Sequence, residues 1–389
     1  MIDIKDKSNC CGCTACASVC AHNAITMKPD GLGFLYPSVD MSKCTNCGLC
    51  DKICAFNADY DKSLNVVPKV YAARLKDIHE VETSRSGAAF TAISEYVLGR
   101  KGVVYGAGYT DHFRVVHKRA ATRHECCEFK GSKYVQSDLS GVFHEVRQDL
   151  KDGLLVLFSG TPCQTAGLNS FVGKKLRKNL ILVDIVCHGV PGPYIWRDYI
   201  SWLEKKHGAT VTGVNFRNKN KYGWKSHIET FETVKSSFDE NHWADMFSRD
   251  VMLRSSCYRC HYSNLVRPSD ITIGDFWGWE RADSGINKDD KGVSLLIVNT
   301  DAGNQLFDSI KEKMHVVPTT VENCLQPNLQ HPSPEHPQRE SFETDYIENG
   351  FEYVLKKYGK IDLVKRVKRW GRYALIRKVK QILHFVSAN

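Results

Sequence analysis

Residues 10–54 read CCGCTACASVCAHNAITMKPDGLGFLYPSVDMSKCTNCGLCDKIC. The cysteines fall as Cys10-x2-Cys13-x2-Cys16-x3-Cys20 and, 23 residues later, as Cys44-x2-Cys47-x2-Cys50-x3-Cys54. A [4Fe–4S] cube needs four thiolates converging on its corners. This run supplies three from one short loop and the fourth from the other repeat. The spacing therefore assigns one cluster to Cys10, Cys13, Cys16 and Cys54, and a second to Cys44, Cys47, Cys50 and Cys20. The competing reading is a pair of zinc knuckles, each with its own four ligands and no crossed fourth cysteine. Cys11 is left over and reads as a bystander thiol.

Residues 1–62 thus read as a small two-cluster domain of the bacterial ferredoxin type. Ala21 and Ala55 stand where ferredoxins often have proline. Between the runs, Gly31, Gly33 and Pro37 mark the turns of a hairpin-like insert, with Phe34, Leu35 and Tyr36 as apolar cover.

The chain has 389 residues, which suggests two or three domains. A hydrophobic fraction of 42% is enough for a packed core. No apolar run is long enough for a membrane-spanning helix. The N-terminus, MIDIKDKSNCC, is charged and reaches a ligand cysteine by residue 10, which argues against a cleaved signal peptide. Sixteen cysteines in such a chain point to metal ligation rather than disulfides. The expected compartment is the cytoplasm, in an anaerobic or low-oxygen host. The net charge of +9 resides in the tail: residues 351–389 hold eleven Lys/Arg and two Asp/Glu, and the rest of the chain balances at 42 of each.

Beyond residue 62, a polar stretch at 61–70 leads into an α/β pattern. A helical pattern ending at Gly99 follows Ser84-Arg85-Ser86-Gly87-Ala88-Ala89-Phe90, whose small residues suit a phosphate or a plain N-cap. Residues 102–108 read as a strand running into a glycine turn, without the third glycine of a dinucleotide fingerprint. Gly131-Ser132-Lys133-Tyr134 is a second small, basic loop. Residues 153–158 and 180–187 read as buried strands. The first runs into Ser159-Gly160-Thr161-Pro162-Cys163-Gln164 and a helix. The second ends in Cys187-His188-Gly189-Val190-Pro191, with a helix from Pro193. Such runs indicate a sheet covered on both faces. Cys163 and Cys187 then lie at adjacent strand ends, where α/β folds place ligands. A strand at 211–217, a last strand at 293–299 and a helix from about Ala302 complete the pattern. Four prolines between Pro327 and Pro337 suggest a linker.

Cys163, Cys187, Cys257 and Cys260 form a second set of four. They fit another iron–sulfur cube, a structural zinc, or two core thiols beside an unrelated C-x2-C pair. In the tail, Ile361, Val364, Val367, Trp370, Ala374, Val379, Ile382 and Val386 fall near one side of a basic helix. That helix can pack on its own domain, or lie on an anionic membrane surface or a partner.

Residues 70 to about 320 resemble the beta subunit of coenzyme F420-reducing hydrogenase and its relatives. The matching pieces are Ser84–Gly87, Gly131–Tyr134, Gly160–Gln164, Cys187–Pro191, Phe216-Arg217 with Gly223-Trp224, Cys257-x2-Cys260, and Gly274-Asp275-Phe276. The family often has glycine where this chain has Ala88 and serine where it has Gly192. The resemblance implies one FAD per chain beside a third [4Fe–4S] cluster held by Cys163, Cys187, Cys257 and Cys260. It also implies flavin contacts at Ser86, Gly87, Ser132 and Lys133.

The expected fold is α+β or α/β. A ferredoxin domain (1–62) precedes a mixed α/β flavin and iron–sulfur domain in two parts (68–150 and 151–325), a linker (326–350) and a basic helical tail (351–389). The expected function is an iron–sulfur flavoprotein oxidoreductase. It moves electrons between an organic hydride donor or acceptor, coenzyme F420 or another compound, and a one-electron carrier or partner redox enzyme. His188 is the candidate proton donor. The alternative is a non-catalytic electron-transfer subunit. Nucleic acid is not an expected partner, because the basic charge sits on one terminal helix.

Overall fold

The apolar runs that read as buried strands lie at the centre of a large mixed sheet in the computed structural model, which describes residues 1–56 and 68–359. In chain order the strands are β1 (Ile25–Pro29), β2 (Leu35–Val39), β3 (Lys69–Leu75), β4 (Val103–Tyr109), β5 (Val115–Ala120), β6 (Val156–Gly160), β7 (Leu180–Ile185), β8 (Val211–Asn215), β9 (Glu229–Thr233), β10 (Ser237–Glu240), β11 (Ile271–Asp275), β12 (Ser294–Val298) and β13 (Met314–Thr319).

Eight of them form one sheet in the order β13-β3-β12-β11-β7-β6-β4-β5. The middle four, β11, β7, β6 and β4, are parallel, and the flanking pairs are antiparallel. Parallel strands are buried on both faces, which is why their sequences are continuously apolar. Helices Ala89–Leu98 and Asp301–Ile310 cover one face. Helices Val142–Lys151 and Pro162–Val172 cover the other. A three-stranded antiparallel sheet, β10-β9-β8, packs beside helix Pro193–His207 around Trp196, Tyr199 and Trp243.

The N-terminal segment carries the expected hairpin, with Ile25 opposite Val39 and Pro29 opposite Leu35. Pro37 is inside β2 opposite Met27 rather than at the turn. The segment is not a separate ball: Cys11, Cys13, Ala15 and Phe56 share one apolar core with Val156 and Phe158 of β6. Ser170 Oγ donates to Ile53 O at 2.7 Å, and the Tyr262 hydroxyl to Ala55 O.

Three further sequence expectations change. Gly106 and Gly108 lie within β4 rather than in a turn, because Phe129 and Glu128 press where a Cβ would stand. The strand at 294–298 is not the last: β13 follows, and its Pro318 is tolerated because β13 is an edge strand. The expected linker at 326–350 contains the start of helix Arg339–Tyr358, which breaks at Gly350 (φ +76°) and buries Arg339, Phe342 and Tyr346. The polar stretch at 61–70 falls mostly, and the tail beyond residue 359 wholly, outside the described residues.

Candidate iron–sulfur and flavin site

The two cysteine loops share an unusual backbone. Positive φ recurs at matched positions, Gly12 and Thr14 in the first loop, Asn46 and Gly48 in the second. Such turns aim successive N–H groups at one centre, which suits an anion. In the first loop the sulfurs of Cys10, Cys13 and Cys16 accept from the backbone N–H of Gly12, Ala15 and Ala17. In the second loop Cys44 accepts from Asn46 at 3.4 Å. Cys50 accepts from Ile2 at 3.2 Å, and Cys20 from Ala24 at 3.3 Å. Hydrogen bonds to sulfur are one of the levers by which a protein sets a cluster's potential.

Cys10, Cys13, Cys16 and Cys54 line one cavity, closed by Ile2, Ile4 and Phe56. Burial, then the neighbouring Cys13, Cys10 and Cys54, pushes the Cys16 thiol far up. Four thiols crowded around a cavity suit a cluster that holds them as thiolates. Cys54, 34 residues beyond Cys20, thus joins the first loop, as the crossed spacing requires.

The second set of four also converges. Cys163 follows β6 and opens helix Pro162–Val172, whose capping box is made by Thr161 and Gln164. Cys187 follows β7, next to β6 in the sheet. Cys257 lies in the short helix Ser255–Arg259, and Cys260 caps it. Burial raises the Cys187 thiol well above its ordinary range, reinforced by Cys257, Cys163 and Cys260. Burial takes Cys257 to about 12. Each sulfur has a donor beside it: Gly189 N–H for Cys187, Val190 N–H for Cys257, Tyr262 N–H for Cys260 at 3.4 Å, and the Thr161 hydroxyl 3.3 Å from Cys163. Four converging sulfurs, each with a donor beside it, fit an iron–sulfur cube, whose thiolates need such donors.

Two further residues lie between these sets: Cys11, which the sequence reads as a bystander thiol, and Arg254, which the sequence reading passes over. The buried Cys11 thiol is hydrogen-bonded to both Cys13 and Cys163; those bonds hold its proton on and draw Cys163 down to about 7. Arg254, 1% exposed, reaches from the Cys257 loop to the Cys10 loop, donating to Cys10 O at 2.8 Å. Its only sequence signal is a cation directly after the apolar run Val251–Leu253.

The two loops named for flavin meet on one ion-pair group. The Ser86 hydroxyl donates to Asp275, which pairs with Arg217. Arg217 also reaches the Tyr134 hydroxyl at 3.4 Å. Burial opposes the Asp275 charge, but the Arg217 and Arg85 guanidiniums hold its pKa at about 2. Ser86 and Gly87 are therefore engaged with the protein: a Cβ at Gly87 would lie 2.2 Å from Ala73 O. Lys133 is turned to the Glu128 and Lys130 carbonyls, where burial lowers its pKa to about 7. Ser132 is half-buried beside it. Two buried donors of the same group, Arg85 Nε and Trp224 Nε1, have no hydrogen-bond acceptor among the described residues. Trp277, 38% exposed, stacks on Trp224 at 4.8 Å. An aromatic plate with two unused donors fits a planar, acceptor-rich ligand.

His188 Nε2 faces Asp250 at 2.5 Å and Nδ1 faces Asn328 at 3.3 Å. It sits beside Cys187, half-exposed and oriented by a carboxylate.

Residues 9–58 match the family described as 4Fe-4S dicluster domain. Residues 154–322 match the family described as the C terminus of the coenzyme F420 hydrogenase/dehydrogenase beta subunit. No curated protein matches the sequence. Among solved structures, a chain of the F420-reducing [NiFe] hydrogenase complex from Methanosarcina barkeri is similar at TM-score 0.46 and 15% identity, over 75% of this chain and 90% of that one. The chain thus carries a 4Fe-4S dicluster domain at residues 9–58 and, over residues 154–322, is similar to the C terminus of the coenzyme F420 hydrogenase/dehydrogenase beta subunit.

Proposed function

We propose that the chain is a three-cluster, FAD-dependent oxidoreductase that moves electrons between an organic hydride donor or acceptor and a one-electron carrier. A bound flavin supplies the conversion between a hydride pair and single electrons. Cys163, Cys187, Cys257 and Cys260 hold the third cluster. Trp277, Trp224 and Arg85 form the candidate flavin surface, at the end of β11 beside the strand that leads to Cys187. His188, oriented by Asp250, is the residue placed to hold a proton near that end of the sheet.

The observation that carries this reading is the contact of Cys11 with both Cys13 and Cys163. That contact supports an order that runs from the strand ends through Cys10–Cys16 to the Cys44–Cys50 loop. That loop is the outer one: Cys47 is exposed, between Met41 (65% exposed) and Leu49 (45% exposed). Exposed apolar side chains beside a ligand suit the docking of a small carrier or partner enzyme. Coenzyme F420 is the organic partner that the family name suggests, and a partner redox enzyme is the alternative electron source.

The test is anaerobic reduction of a viologen dye by the purified chain, with reduced deazaflavin and nicotinamide as donors. Turnover that disappears in Cys163→Ser supports the proposal. Inactivity with every donor, together with tight co-purification of a second redox protein, favours the electron-transfer subunit instead.

A further inference from the structure

Five arginines are buried among the described residues: Arg74, Arg217, Arg254, Arg267 and Arg339. Burying a charge is costly unless it is paired. Four of them are paired with a carboxylate: Arg74 with Asp289, Arg217 with Asp275, Arg267 with Asp184 and Arg339 with Glu343. Arg254 is the most buried of the five, and among the described residues no carboxylate pairs with it.

Three of its five N–H groups meet neutral oxygens. Nε donates to Cys10 O at 2.8 Å, Nη1 to Gln136 Oε1 at 2.9 Å and Nη2 to Leu35 O at 2.9 Å. The guanidinium lies over the Tyr36 ring at 4.2 Å and the Phe34 ring at 5.3 Å. None of these carries the opposite charge. What remains is sulfur: Nη2 lies 3.7 Å from Cys10 Sγ. The other ionisable groups that act on it are Tyr36, Cys11 and Cys257. The site is also shaped around it, since a Cβ at Gly12 would come within 2.9 Å of Nη1.

We propose that Arg254 is the fixed counter-charge of the cluster held by Cys10, Cys13, Cys16 and Cys54, and that it raises the potential at which that cluster accepts an electron. The proposal rests on reading those cysteines as cluster ligands. A cube with four thiolates is anionic and gains one further negative charge on reduction. A cation fixed within hydrogen-bonding reach of one sulfur, with little water to screen it, stabilises the reduced form more than the oxidised one. The step concerned is the gain of one electron by this cluster: the organic donor of the proposed function gives its hydride to the flavin, and the two electrons leave the flavin one at a time by this route, its protons passing to solvent. At the cluster itself no bond forms or breaks, and no proton is required. Arg254 acts through the cluster and is a positioning residue. Three residues before Cys257, it also ties the third set's loop to the first cluster's loop.

The experiment is a redox titration of the anaerobically purified full chain, followed by electron paramagnetic resonance, for wild type, Arg254→Gln and Arg254→Lys, with iron counted in each. In Arg254→Gln one cluster's reduced-to-oxidised ratio, at a given potential, should fall about tenfold, equivalent to about 59 mV for one electron. The other signals should move less, and Arg254→Lys should recover most of the change. Loss of a cluster in the Gln variant with retention in the Lys variant also supports a charge role. Full iron content with unchanged midpoints in Arg254→Gln overturns the proposal, as does equal loss of the cluster in both variants. A wild-type chain without a reducible cluster signal would instead defeat the ligand assignment itself.

Discussion

The Cys11 thiol is hydrogen-bonded to Cys163, a residue 152 positions away at the end of β6. A cysteine that is extra to the ligand count thereby joins the two cysteine sets. If Cys11 shares its one thiol proton between the two ligand sulfurs but holds no iron, Cys11→Ser should keep the wild-type iron content. Cys13→Ser and Cys163→Ser should each lose about four irons. Cys11→Ala removes the donor from a buried site and should cost about 1–3 kcal/mol in anaerobic urea unfolding.

Gly167 lies inside helix Pro162–Val172, where alanine ordinarily stabilises by up to about 1 kcal/mol. Here the sign reverses, because an added Cβ would stand 2.7 Å from both Cβ and Sγ of Cys13. Gly167→Ala should destabilise by about 1–3 kcal/mol through overpacking. It should also alter the resonance signal of the first cluster, since the helix can yield only by pushing that loop. A wild-type spectrum with raised stability would contradict the close approach.

Asp275 has its pKa held at about 2 in the fold, against 3.8 for an ordinary aspartate. A carboxylate whose pKa is lowered by folding adds stability that is complete above its unfolded pKa and is lost as pH falls through the folded one. At about 1.4 kcal/mol per unit, the contribution is about 2 kcal/mol. The gap in unfolding free energy between wild type and Asp275→Asn should stay constant from pH 8 to about pH 5. It should close between about pH 4 and pH 2. A gap that widens on acidification would contradict the Arg217 and Arg85 pairing.

The two ferredoxin-type clusters should differ in lability. Cys47 is exposed, whereas Cys13 is buried. Brief exposure to air or a chelator should therefore remove about four irons first, and the signal lost should be the one abolished by Cys47→Ser rather than by Cys13→Ser.

The cysteine runs were legible in the sequence because a cube imposes fixed local spacings. The central parallel strands were legible because burial on both faces leaves an unbroken apolar run, as in Val156–Phe158 and Leu180–Val183. Contacts set by long-range packing were not. Arg254 looks like any surface cation until the fold turns it toward Cys10. Cys11 is one thiol too many until β6 delivers Cys163 beside it. Pro318 hid β13, because nothing local reveals that the strand lies at a sheet edge. Four prolines at 327–337 suggested a linker, yet the helix that begins at Arg339 buries Phe342 and Tyr346 against distant aromatic residues.

Iron, sulfide, zinc and flavin per chain, counted on anaerobically purified protein, test the central claim most directly. About twelve irons with matching sulfide, one FAD and no zinc are predicted, four irons for each of three cubes. About eight irons with one zinc and no flavin would make Cys163, Cys187, Cys257 and Cys260 a structural site, and the route from strand ends to surface loop would be wrong.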